Sequence, residues 1–212
     1  MKLVALLSTV MIACGYLAAL GAAEHPTSPP DFPARVVTYL NRADVDSILT
    51  TLHYPPHYSE SELETEYAGL GHALEFLLER LGPPGAIDQS RQPPLHYEIA
   101  LLSGDPQYWE SRAASPFDTL WYTCEFPEFG PGVVGLRLID RGGTPEVWSL
   151  TFGLAAFVPH ARDAAIEIYT ALARHQMEAL GMTPPKNLRE TVEASVPRLG
   201  PSEEAQSSGP SN

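Results

Sequence analysis

Leu95-His96-Tyr97-Glu98-Ile99-Ala100-Leu101 and Leu120-Trp121-Tyr122-Thr123-Cys124-Glu125-Phe126 are the stretches whose reading decides the fold. In each, one parity is core-like: Leu95, Tyr97, Ile99 and Leu101, then Leu120, Tyr122, Cys124 and Phe126. His96, Glu98, Trp121, Thr123 and Glu125 fall between them. Successive side chains of a strand point to opposite faces, so this alternation predicts half-buried β-strands. Val133 to Ile139 and Val147 to Leu154 read as two more, joined by the turn Asp140-Arg141-Gly142-Gly143. Connections that short require antiparallel neighbours.

Outward from these strands the period becomes helical. Leu63, Tyr67, Leu70, Leu74, Leu77, Leu78 and Leu81 recur at spacings of three and four. Ser59-x-x-Glu62 and Ser61-x-x-Glu64 are overlapping capping boxes at its start; Gly82 and Pro83-Pro84 stop it. Glu60, Glu62, Glu64 and Glu66 read as a solvated helix start favoured by the helix dipole, not as a metal site. Two shorter helices precede it, Pro33 to Asn41 and one capped by Asp44 that carries Val45, Ile48, Leu49 and Leu52. A last helix spans Arg162 to Leu180 before Gly181, and a short one lies near Leu188 to Ala194. Helices followed by an antiparallel sheet of about four strands define an α+β class, with N-terminal helices packed on the sheet and a C-terminal helix added.

The segment Val37-Thr38-Tyr39-Leu40-Asn41-Arg42-Ala43-Asp44-Val45-Asp46-Ser47-Ile48-Leu49 resembles the opening helices of the nuclear-transport-factor-two-like superfamily, closest to small exported bacterial members. The resemblance covers residues 33–154 in order of elements and about a dozen residues in motif. It implies a cone of helices against a curved sheet, one face lining a pocket and the other serving as an interface. The helix at 162–180 departs from the family pattern, which closes with a strand.

The N-terminus supplies an address. Lys2 is followed by an apolar run from Leu3 to about Ala19, then Gly21-Ala22-Ala23 before Glu24. That is the order of a secretory signal, with residues 1–23 removed, and it places the protein in the periplasm or outside the cell. Met11-Ile12-Ala13-Cys14 offers a second reading, a lipobox that would lipidate Cys14 and anchor the chain. A third reading leaves the run uncleaved as an anchor. Residues 24–32 form a proline-rich tether, 33–182 one domain, and 183–212 a polar, largely disordered tail. If Cys14 is removed or lipidated, Cys124 stands alone without a disulfide and reads as a small buried hydrophobe. Loss of residues 1–23 takes the net charge from −13 to −14, a balance that repels nucleic-acid phosphates and anionic lipid.

Motifs exclude more chemistry than they advertise. Gly130-x-Gly132-x-x-Gly135 matches a dinucleotide fingerprint in letters, but it runs into a strand instead of a helix and reads as a hairpin turn. His53 and His57 have metal-ligand spacing, yet Pro55-Pro56 between them forbids a regular helix; no metal or cofactor is expected. No Gly-x-Ser-x-Gly elbow occurs, and the small residues of Gly69-Leu70-Gly71-His72 read as a close-packing surface.

The candidates left are on the sheet: His96, Glu98 and Glu125 as catalytic groups, and Trp121, Trp148 and Arg137 as ligand or partner contacts. Two functions follow. The first is a non-catalytic envelope protein binding a small apolar ligand, an envelope protein or a second copy of itself. The second is a small isomerase or hydrolase using a carboxylate or histidine in the cone. Alternation places the polar candidates on the water-facing side of the sheet and favours the first.

Overall fold

A computed structural model describes residues 32–102, 119–141, 143–179 and 181–199. The signal segment with Cys14, the tether up to residue 31 and the tail from residue 200 lie outside the described residues.

Helix α1, Phe32–Asn41, buries Phe32, Val36 and Leu40, one face at spacing four. The chain breaks at Ala43, whose φ is 50°, and Asp44 caps α2, Val45–Leu49, by accepting hydrogen bonds from the Ser47 amide at 3.2 Å and hydroxyl at 2.7 Å. Those bonds hold the Asp44 carboxyl below its usual range. The helix stops before Leu52, shorter than the apolar pattern predicts. Thr50 and Thr51 turn their hydroxyls back to the carbonyls of Ser47 and Ile48, competing with further helix. Leu52 instead forms a parallel bridge to Val147 of the sheet.

Helix α3, Glu60–Leu81, uses the first of its two capping boxes, Ser59 with Glu62. Its fully buried face starts at Leu70, and Leu63 in the first turn stands exposed. Gly71 admits α2: a Cβ there would sit 3.3 Å from Leu49 Cδ1.

The sheet has five antiparallel strands, one more than the sequence predicts: β1 Gly85–Ser90, β2 His96–Leu102, β3 Thr119–Phe126, β4 Gly130–Arg141 and β5 Thr144–Ala155. Their order is β1-β3-β4-β5-β2. The added strand, β1, lacks apolar alternation because it is a largely exposed edge, bulged between Gly85 and Asp88. β2, at the opposite edge, begins at His96, leaving Leu95 outside it and 54% exposed rather than in the core.

Helix α4, Ala161–Ala179, and the short α5, Leu188–Ser195, complete the fold. The core lies on one sheet face, where Ile99, Leu101, Phe126, Leu136, Leu150 and Phe152 meet Leu74, Leu77 and Leu81 of α3 and Ile168 and Leu172 of α4. Among the described residues no helix is long and apolar enough to cross a membrane.

α5 opens the segment read as a tail, and it is docked: Val192 and Val196 are buried. Arg162 of α4 donates to the carbonyls of Glu193 and Val196, each at 3.0 Å, placing a cation on the helix C-terminus. Arg162→Ala is expected to weaken that docking by about 2 kcal/mol. Limited proteolysis between α4 and α5 should then run roughly tenfold faster or more, with the sheet intact. Unchanged cleavage would show that Val192 and Val196 hold the helix alone.

Candidate functional site

The other face of the sheet collects the polar and aromatic residues singled out in the sequence. The strand registers pair Thr119 with Arg137 and Arg137 with Ser149, then Trp121 with Gly135, Gly135 with Thr151, and Thr151 with Ala100. His96 and Glu98 follow along β2 on the same parity, opposite Ala155 and Gly153. All these residues alternate with the core-facing set and lie opposite the helices.

Two glycines shape this face. Trp121 on β3 and His96 on β2 are separated by β4 and β5, a span of about 14 Å in a flat sheet. Their ring centroids are nevertheless 4.8 Å apart, edge to face. A Cβ on Gly135 would meet Trp121 Cζ3 at 2.7 Å, and one on Gly153 would meet His96 Cδ2 at 2.5 Å. The rings therefore lie down over backbone that carries no side chain, and meet above it.

His96 is held at both nitrogens. Nδ1 lies 2.6 Å from the Pro94 carbonyl, which accepts only, so Nδ1 carries a proton. Nε2 lies 3.1 Å from Glu98 Oε1. With both nitrogens engaged, the ring offers none to a substrate.

Arg137 stacks its guanidinium over the Trp148 ring at 4.9 Å and donates from Nε to Thr119 Oγ1 at 3.3 Å. Burial pulls its pKa down and the charge of Glu98 opposes that shift. A bulge supplies the stacking partner: the register moves between Arg137 and Leu138, which oppose Ser149 and Val147, leaving Trp148 as the extra residue of β5. Trp148 is 6% exposed, whereas Trp121 is half-buried.

The remaining candidates do not join this cluster. Glu125 is exposed near the far end of β3. His53 and His57 diverge: His57 packs edge-on against Tyr58, while His53, 3% exposed, sets Nδ1 2.5 Å from Glu146 Oε2. Sequence reasoning missed that pair because its members are 93 residues apart. His53 also donates its amide to the Val147 carbonyl at 2.8 Å, tying the α2–α3 connection to β5. Among the described residues no group of three or more His, Cys, Asp or Glu is placed to hold a metal. The glycine-rich segment at 130–135 is a hairpin: Phe129 donates to Phe126 across the turn, and Gly130 takes a φ of 77° at the start of β4.

Cys124 faces the core. Burial, with a contribution from the Glu125 charge, pushes its thiol up to about 12. The nucleophilic thiolate is then scarce at any pH the fold meets. A thiol reagent at pH 8 is expected to label Cys124 only as fast as the protein opens; rapid labelling of the native state would contradict its burial.

No family model, curated protein or solved structure matches the chain. The fold and the clustered residues define an α+β protein with helices on one sheet face and an aromatic-polar cluster on the other.

Proposed function

We propose that this is an exported, non-catalytic binding protein that engages a small ligand or an envelope partner through the sheet face opposite its helices. The observation that carries the reading is the gathering of Trp121, His96, Glu98, Arg137 and Trp148 on that face. Trp121, half-buried over Gly135, is the aromatic contact of that surface. Export rests on the signal-like order of residues 1–23. We extend the proposal to membership of the nuclear-transport-factor-two-like superfamily, supported by the helix break at Asp44 and by three helices preceding an antiparallel sheet.

The isomerase or hydrolase alternative needs a histidine or carboxylate free to move a proton. The double engagement of His96 and the exposed position of Glu125 weigh against it.

A native mass spectrum of the protein recovered from its own envelope tests the reading. An adduct or partner mass supports it, and the mass of the chain itself reports whether Cys14 carries lipid. A bare chain, recovered under conditions that preserve other envelope complexes, would overturn it.

A further inference from the structure

Helices α3 and α4 set two histidines side by side on the outside of the helical layer. Arg80 of α3 pairs with Glu167 of α4. Two turns back along α3 stands His72, and two turns forward along α4 stands His175. Their ring centroids are 6.3 Å apart, edge to face. The two contacts run in opposite directions along the helices, so α3 and α4 are antiparallel and their register brings the histidines together. Phe76, one turn on from His72, lies nearly parallel to the His175 ring at 6.1 Å and packs beside it.

Both rings are open to a hydrated ion. The His72 side chain is 64% exposed, and His175 is exposed as well. His53 and His96, by contrast, are buried against Glu146 and Glu98. Nδ1 of His72 lies 3.5 Å from Glu75 Oε2. A carboxylate at that nitrogen favours the tautomer that presents Nε2 to a metal.

We propose that His72 and His175 clasp one divalent transition-metal ion of the zinc type, with water in its remaining positions. An imidazole nitrogen sits about 2.0–2.1 Å from zinc, so two rings on one tetrahedral ion have centres about 5 Å apart. The pair stands about 1 Å wider than that, a gap that small rotations of two exposed side chains close. Ligand type selects the metal: imidazole suits zinc, whereas magnesium takes oxygen. No third His, Cys, Asp or Glu joins the pair among the described residues, so the site is a clasp between helices and not a closed structural centre. It lies away from the outer sheet face and does not depend on the reading of that face.

The test is calorimetric titration of the full chain with Zn(II) and, separately, with Mg(II). It is repeated on His72→Ala, His175→Ala and, as a control, His160→Ala, a highly exposed histidine that opens α4. Zn(II) should bind saturably, and Mg(II) about tenfold more weakly or worse. His72→Ala and His175→Ala should each weaken that Zn(II) binding about tenfold or more, and His160→Ala should leave it unchanged. Bound Zn(II) should also raise Tm in the parent chain, because it ties two helices that only the folded state brings together. All three positions are exposed, so the variants should keep the parent circular dichroism and Tm without metal. Absence of saturable Zn(II) binding, equal binding of Mg(II), or unaltered affinity in both clasp variants would overturn the proposal. So would one ion held between two chains, or an equal loss in His160→Ala.

Discussion

Gly132→Ala should cost about 3 kcal/mol of stability, the upper end of what one inserted methyl group does in a packed interior. The new Cβ would collide with the Phe126 ring and lie 2.6 Å from the Gly153 carbonyl oxygen. Neither can yield: Phe126 is fully buried in the core, and the oxygen belongs to the β5 backbone. For a domain of this size the melting temperature should fall by about 6–12 °C. Gly135→Ala is the control three residues along the same strand. Its three nearest neighbours are atoms of the Trp121 ring, at 2.7–3.1 Å, the far end of a half-buried side chain instead of backbone. We expect a loss of about 1 kcal/mol or less there. Thermal unfolding of the two variants side by side checks the assignment of faces. Equal melting points would mean that Gly132 does not face the core.

Trp121→Ala should weaken association about 30-fold or more, the roughly 2 kcal/mol typical of an aromatic anchor, while the protein stays folded. Trp121 lies over bare backbone on the sheet face opposite the described helices, so its removal opens no cavity in the main core. Trp148→Ala is a different experiment. That ring is almost fully buried and supports Arg137, and truncation should cost about 3–5 kcal/mol of stability. From sequence the two tryptophans look interchangeable as contact residues; the bulge in β5 separates them. Affinity measured on Trp121→Ala at unchanged circular dichroism checks the claim, and wild-type affinity in that variant would remove Trp121 from the site.

Much of the fold was legible because its signals are local. The capping box at Ser59, the cap at Asp44, the positive-φ stop at Gly82 and the period-two strands need no distant partner. β1 was not legible: an exposed bulged edge carries no apolar alternation, and its pairing with β3 is decided by the rest of the sheet. Leu63 and Leu95 have the right period, but periodicity specifies a face and not how far along that face the core reaches.

The site was half legible. Alternation correctly grouped His96 and Glu98 apart from Tyr97 and Ile99. Gly135 and Gly153, which let two rings meet across two strands, read in the sequence as a turn motif and as an unremarked position in a strand.

The central claim is that the sheet face carrying Trp121 is the face that other molecules touch. Oxidative footprinting of the protein in its intact envelope and again after purification tests it directly. Trp121 should be protected in the envelope and take up label once purified, while Trp148 stays lightly labelled in both. Equal labelling of Trp121 in the two states would contradict the account.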